Sequence, residues 1–203
     1  MGISIDRTQR RVEDGMLYQT QHYRLQDGWQ LYFGIDGIDS TYLPKIDTVR
    51  FGGEARMASI TKQENITLPK ATTAKNNCLM LYLLTPLADT RSNSQQPPLP
   101  HTAFTPCQYQ QADAWQGMLV DIPVTIISAI VGKAQRYGGW DMAAHQSLPV
   151  QSYLPAGSCW YLQTDTTEQA QQLIDRLHLG YISQGHSRAQ GYGQIALGNT
   201  PTH

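Results

Sequence analysis

The residues best suited to chemistry form a glycine-rich stretch near the C-terminus, Gly185-His186-Ser187-Arg188-Ala189-Gln190-Gly191-Tyr192-Gly193. Glycine permits positive φ and close approach of main-chain N–H groups, and such groups in a turn form an anion-binding concavity. The guanidinium of Arg188 would add a fixed charge and a planar fork that suits phosphate. The stretch predicts a loop that binds a polyanion, although an ordinary surface turn before a strand has the same pattern.

The overall charge of the chain limits how such a polyanion could be bound. The 203 residues include 15 lysines and arginines against 16 aspartates and glutamates, so no global basic field steers the protein onto nucleic acid. Any contact with a polyanion must be local. The length is enough to bury roughly 70% of the surface that the unfolded chain exposes. The length allows one large domain or two small ones, and we expect a single domain over residues 1–203 that folds without a metal or other cofactor.

The cysteines indicate the compartment. Cys78, Cys107 and Cys159 are odd in number, far apart and without CxxC spacing, and the N-terminus has no signal-peptide pattern. This pattern favours reduced thiols over a disulfide framework or a zinc site. No apolar run reaches the roughly 18 residues that a membrane span needs. We expect a soluble, cytoplasmic protein.

A strand and a helix precede the glycine-rich stretch and must position it. Residues 159–163 are rich in aromatic and β-favouring types, and Thr166 with Gln169 forms the capping box that starts a helix. Four apolar residues then recur at the spacing of one helix face: Ala170, Leu173, Ile174 and Leu177. Gly180 should end the helix. The order strand, helix, glycine loop, strand is typical of half a ferredoxin-like fold.

Further strands are predicted upstream. Residues 16–25 and 29–35 flank an Asp27-Gly28 turn and predict an antiparallel hairpin. Residues 47–51 predict another short strand. The continuously apolar run at 78–86 predicts a central strand buried on both faces.

Two longer stretches complete the chain. Residues 118–131 predict strand pieces around Pro123. Residues 89–106 are polar and proline-rich, and they cannot bury enough apolar surface to offset their ordering entropy. We expect a mobile loop there.

Four more glycine-bearing signatures stand in order along the chain: Gly2-Ile3-Ser4-Ile5-Asp6 with Gly15-Met16-Leu17-Tyr18, then Phe51-Gly52-Gly53-Glu54-Ala55-Arg56, Gly138-Gly139-Trp140-Asp141, and Leu154-Pro155-Ala156-Gly157-Ser158-Cys159-Trp160. Followed by the glycine-rich stretch, they resemble the third RAMP-type subunit of the Cmr effector, the type III-B CRISPR complex. The resemblance spans nearly the whole chain.

The resemblance implies an α+β fold with a ferredoxin-like, RNA-recognition-motif type antiparallel sheet, helices on one face and long loop insertions. It implies a non-catalytic subunit that holds the 5′ tag of CRISPR RNA in antiviral defence. The implied partners are the CRISPR RNA, a large polymerase/cyclase-like subunit and backbone RAMP subunits. Family members usually have a substantial portion before the Ile3-Ser4-Ile5-Asp6 element. Three expectations follow from this departure: the portion has been lost, a separate chain supplies it as a further partner, or the chain is a divergent type III relative.

The same match assigns candidate RNA-binding residues. It implies RNA contacts at Gly185, Arg188, Gly191 and Gly193, and a second contact at Arg56. Aromatic residues could stack on unpaired bases, which is how proteins read single-stranded RNA; the candidates are His186, Tyr192, Trp140 and Tyr137. The alternatives stay open: Trp140 could fill a core edge, Tyr192 a half-buried strand position, and Arg56 and Arg136 an ordinary surface.

Two other classes of function compete with RNA binding. Some RAMP proteins process CRISPR RNA with histidine as general acid or base, and His22 or His145 could serve that role. Neither sits in a recognisable constellation. A purely structural adaptor is the second alternative, supported by the apolar run at 120–131. Metal-dependent cleavage is disfavoured because the acidic clusters, Asp6 with Glu13 and Asp14 and Asp36 with Asp39, sit among turn residues.

Overall fold

The computed structural model describes most of the chain, namely residues 2–6, 11–18, 25–35, 37–42, 48–51, 56–63, 67–91, 97–100, 103–141, 144–183 and 185–200. The chain divides into two compact units, residues 1–66 and 67–203. The organisation as one domain stays a prediction.

The described residues of the first unit form two short antiparallel pairs of strands. Strands β1 (Gly2–Asp6) and β2 (Arg11–Tyr18) form one pair, and β3 (Thr48–Arg50) and β4 (Met57–Ser59) form the other. The prediction of a strand at 47–51 is confirmed by β3. A single turn of 3-10 helix lies at Ser40–Tyr42.

The hairpin predicted around Asp27-Gly28 is only half right. The turn is present: Gly28 has φ +84°, and the Trp29 N–H donates to the Gln26 C=O at 3.0 Å. Residues 29–35 form no strand, and residues 19–24 of the preceding arm lie outside the described residues. The difference has a physical reason, because a strand exists only when its backbone groups pair with a neighbour.

The second unit contains nine strands and two helices among its described residues, with bounds β5 (Cys78–Leu83), β6 (Leu87–Ala88), β7 (Thr105–Tyr109), β8 (Ala112–Leu119), β9 (Ile122–Ile130), β10 (Gln135–Asp141), β11 (Gln146–Leu154), β12 (Cys159–Gln163), α1 (Thr167–Leu177), α2 (Gly185–Ala189) and β13 (Ile195–Asn199). One sheet has six strands in the order β13-β5-β12-β9-β8-β7, and every pair in it is antiparallel. A smaller sheet has the order β10-β11-β6. The architecture is α+β, as expected.

Strand β5 lies inside the larger sheet, between β13 and β12, and is buried on one face only. Leu79, Leu81 and Leu83 are fully buried, whereas Tyr82 on the other face is 39% exposed. The prediction of burial on both faces is therefore wrong. An antiparallel strand commonly has one face in the core and one toward solvent, even when its sequence is continuously apolar.

Helix α1 supplies the cover for the buried face. Its four apolar residues are all buried, as the spacing predicts, and they join one cluster with the inward residues of the sheet: Leu79, Leu81, Leu83, Ile126, Trp160, Leu162, Ile195 and Leu197. Each fully buried large side chain contributes about 1.5–3 kcal/mol relative to exposure. This layer fixes where β12 ends and β13 begins, and the glycine-rich stretch lies between them.

The predicted start of α1 is confirmed. The Thr166 hydroxyl accepts from the Gln169 N–H at 3.2 Å, and the Gln169 side chain accepts from the Thr166 N–H at 3.4 Å. The helix ends where the sequence predicts, but the residue with the left-handed conformation is not the expected Gly180. Leu179, with φ +60°, takes the left-handed conformation, and Gly180 donates its N–H to the Leu177 C=O at 2.8 Å.

We expect Thr166→Ala to lower the free energy of unfolding by about 1 kcal/mol, because the Gln169 N–H loses the hydroxyl that caps it. Urea titration followed by circular dichroism measures the effect. Thr167→Ala is the matched control, since its hydroxyl has no hydrogen bond within the described residues and alanine is the better helix former. Equal stability of the two variants would contradict the capping role.

The apolar run at 118–131 is confirmed as strand, with its break at a different place. Strands β8 and β9 are joined by Val120 and Asp121, which both have positive φ, +44° and +66°. Pro123 lies inside β9, opposite Met118. The strand is therefore interrupted at the two-residue hairpin turn, just before the proline. This turn separates β8 from β9, and the missing N–H of Pro123 does not.

The loop predicted at 89–106 is anchored at several described points. Asp89 pairs with Arg91 at 2.7 Å, and the hydrogen bonds from Arg91 hold the pKa of the Asp89 carboxyl below its usual range. The buried Trp160 donates its indole N–H to the Pro98 C=O at 2.7 Å, and Phe104 is buried. The end of the predicted loop is wrong, because residues 105 and 106 belong to β7. Mobility of the segment stays a prediction.

Candidate functional site

The glycine-rich stretch combines a short helix with a tight return of the chain. Residues 185–189 form α2, after which Gly191 and Gly193 have φ of +81° and +75°. The left-handed region is costly for residues with a Cβ, so both positions favour glycine. The chain then enters β13. The glycines therefore shape the return between α2 and the last strand of the sheet.

The close approach that Gly193 permits is to the protein itself. A Cβ at this position would lie 2.8 Å from the Ser183 Cβ and 3.1 Å from the Leu87 Cδ1. The Gly193 N–H donates to the Pro86 C=O at 2.9 Å, and its C=O accepts from the Ile182 N–H at 3.0 Å. Gly193 thus seats the loop against the segment that leads from β5 to β6.

The main-chain N–H groups of residues 191–193 are already occupied. Gly191 donates to the Arg188 C=O at 2.9 Å, Tyr192 to the Ser187 C=O at 3.0 Å, and Gly193 to Pro86. This corrects the expectation that these amides cradle phosphate, because an anion would first have to displace an internal hydrogen bond. Contacts with an anion from this part of the loop must come from side chains.

Hydroxyl groups complete the attachment of the loop. The Thr85 hydroxyl donates to the Gly191 C=O at 2.7 Å and accepts from the Gln194 N–H at 2.8 Å. The Ser183 hydroxyl donates to the Tyr192 C=O. The loop is therefore fixed on both sides, which limits the conformational entropy that it would lose when a ligand binds.

Arg188 is the charged group that this arrangement presents. Its side chain is exposed, and its guanidinium carbon lies 5.6 Å from the centre of the Tyr181 ring. A guanidinium within about 6 Å of an aromatic face gains a cation–π interaction that orients it. None of the described residues accepts a hydrogen bond from this exposed guanidinium, so a phosphate oxygen could accept from it.

Three tyrosines link the loop to the β10–β11 hairpin. Tyr192 packs on Tyr153 with ring centres 4.8 Å apart and an interplanar angle of 31°, and Tyr153 meets Tyr137 edge to face at 5.3 Å. Burial, and to a smaller extent the neighbouring Tyr192, raises the pKa of the Tyr153 hydroxyl, which stays protonated at neutral pH. Tyr137 is the exposed member of the row and offers part of its ring to solvent.

The structure joins some of the sequence-predicted residues and leaves others apart. Arg188, Tyr192 and the glycines share one loop, and Tyr137 reaches it through Tyr153. The Trp140 backbone pairs with Ser147 in the hairpin, but the side chains of Trp140 and His186 lie outside the described part of the structure. Sequence reasoning missed two residues, Tyr153 and Tyr181, because nothing but their aromatic type marks them.

Arg56 belongs to the other unit. Its side chain is exposed, and its C=O accepts from the Phe51 N–H at 2.9 Å. Its part in RNA binding stays a prediction. Arg136 is exposed in β10, as expected for a surface arginine.

The histidines proposed for catalysis are not brought into a constellation among the described residues. His145 is exposed at the turn between β10 and β11 with φ +51°, and His22 lies outside the described residues. His178 serves the fold, since its Nδ1 lies 3.2 Å from the Leu197 N–H nitrogen. Within the described ranges, no group of three or more His, Cys, Asp or Glu side chains could hold a metal ion.

No helix in the described part of the chain combines the length and the apolar character that crossing a membrane requires. Among curated proteins, none matches this chain. The family model described as CRISPR-associated protein (Cas_Cmr3) matches residues 1–200, almost the entire sequence. The resemblance seen in the ordered glycine signatures is thereby confirmed, and the chain belongs to the Cas_Cmr3 family, the Cmr3 subunits of type III-B CRISPR-associated Cmr complexes.

Proposed function

We propose that this chain is a non-catalytic RNA-binding subunit of a Cmr complex, which holds the 5′ tag of the CRISPR RNA and anchors neighbouring subunits. The observation that carries the proposal is the placement of Arg188: exposed, oriented over Tyr181 and mounted on a loop fixed by hydrogen bonds. Free thiols at all three cysteines fit a cytoplasmic protein.

The strand order supports a ferredoxin-like fold for residues 67–203. In that fold four antiparallel strands lie in the order 4-1-3-2, and a helix joins strands 3 and 4. Strands β5, β9, β12 and β13 take this order, with α1 between β12 and β13. The first connection differs from the standard unit, because the described residues between β5 and β9 hold β6, β7 and β8 and no helix.

The chemistry of the loop suits a short single-stranded RNA segment. A single guanidinium can hold one phosphate through two parallel hydrogen bonds, and an exposed tyrosine can stack on one unpaired base. The formal charge of the chain is −1, which supplies no general affinity for RNA. We infer that Arg188 and Tyr137 position one piece of RNA that other subunits also hold.

A non-catalytic role fits the histidines better than a nuclease role does. General acid–base cleavage needs a base within hydrogen-bond reach of the attacking hydroxyl, held there by neighbouring groups. His145 is exposed and has no described side-chain partner. A His145→Ala complex should therefore leave tagged repeat RNA as intact as the wild-type complex does; cleavage that disappears in the variant would establish the nuclease instead.

We expect Arg188→Ala to weaken capture of 5′-tag RNA by the assembled complex about tenfold, because one charge-assisted contact to phosphate is lost. Arg188→Lys keeps the charge but loses the planar fork. The affinity of this variant for the tag RNA should lie between that of the wild type and that of Arg188→Ala. Fluorescence anisotropy of a labelled tag oligonucleotide at fixed salt measures both variants.

The matched control is Arg176→Ala. Arg176 is an exposed arginine in the last turn of α1, 3.7 Å from the exposed Asp121, so the variant removes the same charge away from the loop. Its RNA affinity should equal that of the wild type. If Arg188→Ala and Arg176→Ala bind the tag equally well, the loop does not hold RNA.

A further inference from the structure

Residues 29–35 have the sequence pattern of a strand but no partner strand among the described residues. Trp29, Leu31, Phe33 and Ile35 alternate with Gln30, Tyr32 and Gly34. Successive side chains of a strand point to opposite faces, so this alternation would put four large apolar groups on one face once the segment pairs as a strand. Such a pattern is typical of a strand that buries that face.

The apolar face is not buried. Trp29, Leu31, Phe33 and Ile35 are 68%, 66%, 63% and 52% exposed. Single exposed apolar residues are common on proteins, but a contiguous set of this size marks an interaction surface. Tryptophan and tyrosine are also the residues that contribute most to binding at protein interfaces.

The backbone of the segment is equally unpartnered. Among the described residues, no main-chain N–H or C=O of residues 30–35 has a hydrogen-bond partner. A row of unpaired strand groups is a template for pairing with the edge of another sheet. Peptide segments that add a strand in this way gain affinity from main-chain hydrogen bonds and specificity from alternate side chains.

Both ends of the segment are held in defined turns. At one end, Trp29 closes the turn that begins at Gln26. At the other, the Tyr42 N–H donates to the Asp39 C=O at 3.0 Å, and the Asp39 carboxylate accepts from the Thr41 N–H and hydroxyl, both at 2.8 Å. A segment restrained at its ends loses less entropy on binding than a free one.

The charge around the segment identifies the class of partner. Residues 25–42 contain three aspartates, Asp27, Asp36 and Asp39, and neither lysine nor arginine. Negative charge on both sides of the apolar face repels RNA, whose affinity depends on cations. It complements a protein surface with an apolar groove and neutral or basic residues at its rim.

We propose that residues 29–35 dock onto another protein subunit of the complex by adding a strand to an exposed sheet edge, with Trp29, Leu31, Phe33 and Ile35 facing its apolar groove. The proposal rests on membership of a multi-subunit complex and is independent of whether Arg188 holds RNA.

Hydrogen–deuterium exchange tests the docking directly. The full-length chain is compared alone and in RNA-free mixtures with each of the other Cmr subunits of the same organism in purified form. We expect the amides of residues 30–35 to exchange rapidly in the chain alone and at least tenfold more slowly with one of these subunits, since pairing protects main-chain N–H groups.

Substitution tests the apolar face. Leu31→Glu with Phe33→Glu should weaken binding of that subunit at least tenfold. Gln30→Glu with Tyr32→Glu adds the same two charges to the opposite face and should keep most of the binding. Both pairs lie on exposed side chains, so the melting temperature of the isolated chain should not change in either variant.

Four outcomes overturn the proposal. The first is slow exchange of residues 30–35 in the chain alone, which means that the chain covers its own segment. The second is protection of these residues by a second copy of the chain, and the third is protection only when RNA is added. The fourth is rapid exchange of these residues in every mixture. Failure of the RNA proposal looks different, because Arg188→Ala would then bind tag RNA normally while protection of residues 30–35 is unchanged.

Discussion

Trp160→Ala is expected to lower the free energy of unfolding of the unit at residues 67–203 by about 3–5 kcal/mol, the largest effect of any single change considered for this chain. Trp160 is fully buried at the centre of the cluster between the six-stranded sheet and α1. Truncation removes its apolar surface from the core and leaves a cavity that the surrounding leucines can fill only in part.

The indole N–H adds to this cost. It donates to the Pro98 C=O at 2.7 Å and so ties residues 97–100 to the core. Trp160→Phe keeps part of the apolar volume but loses the hydrogen bond and the second ring of the indole, so it should cost less than Trp160→Ala, about 2–3 kcal/mol. Amide hydrogen exchange at Leu99 should rise in both variants, because the same anchor is lost.

Urea unfolding followed by far-ultraviolet circular dichroism measures the loss without relying on tryptophan fluorescence. Trp29→Ala is the matched control, since it truncates a tryptophan that is 68% exposed, and its stability should stay within about 0.5 kcal/mol of the wild type. If Trp160→Ala unfolds at the same urea concentration as Trp29→Ala, the core does not have the packing described above.

Gly193→Ala is expected to lower the free energy of unfolding by about 2–5 kcal/mol and to weaken RNA capture as well. The left-handed backbone at φ +75° costs a residue with a Cβ about 1–2 kcal/mol. The new methyl would overlap the Ser183 Cβ at 2.8 Å, and overpacking of this kind costs about 1–3 kcal/mol. The loop must move, and Arg188 would move with it.

Substitutions at two other glycines separate the cost of backbone strain from the cost of methyl overlap. Gly191 has φ +81°, but no atom lies within 4 Å of the position that an added methyl group would take, so Gly191→Ala should cost only the backbone strain, about 1–2 kcal/mol. Gly198 in β13 has neither positive φ nor a close neighbour, so Gly198→Ala should leave stability unchanged or slightly higher. Thermal unfolding ranks the stabilities of the three variants, and anisotropy with tag RNA ranks their affinities. A Gly193→Ala variant as stable as Gly198→Ala would rule out the close packing at Gly193.

The helix that positions the site could be predicted from sequence because its signals are local. Thr166, Gln169 and the apolar residues of α1 act through neighbours three and four positions away, and each behaves as its spacing predicts. The strand at 159–163 is equally readable from its residue types. The end of the helix was harder to predict, because Leu179 adopts a left-handed conformation that the sequence would assign to glycine.

The face of β5 could not be read from sequence in the same way. A run of apolar residues does not say which of them meets the helix, and Tyr82 is compatible with either core or surface. Likewise, Val120 and Asp121 form a hairpin turn with positive φ at both residues, although neither is glycine or asparagine. The pairing of β8 with β9 imposes this conformation against the local preference of valine.

The candidate site was located by its glycines, but the role of those glycines could not be foreseen. Positive φ at Gly191 and Gly193 was implied by residue type, whereas the partners of their N–H groups depend on Arg188 and Pro86. The packing of Tyr192 on Tyr153 likewise depends on the hairpin, which is remote in sequence. Tertiary contacts therefore decide which groups of the loop remain free for a ligand.

The position of β5 between β12 and β13 also governs how the sheet can assemble during synthesis. Both neighbours of β5 are made long after it, at residues 159–163 and 195–199. At the usual rate of about 5–20 residues per second, the ribosome needs on the order of ten seconds to pass from β5 to β13. Until β12 emerges, Leu79, Leu81 and Leu83 belong to a strand without either edge partner, so chaperones or early-binding subunits that shield this strand would raise the yield of folded protein.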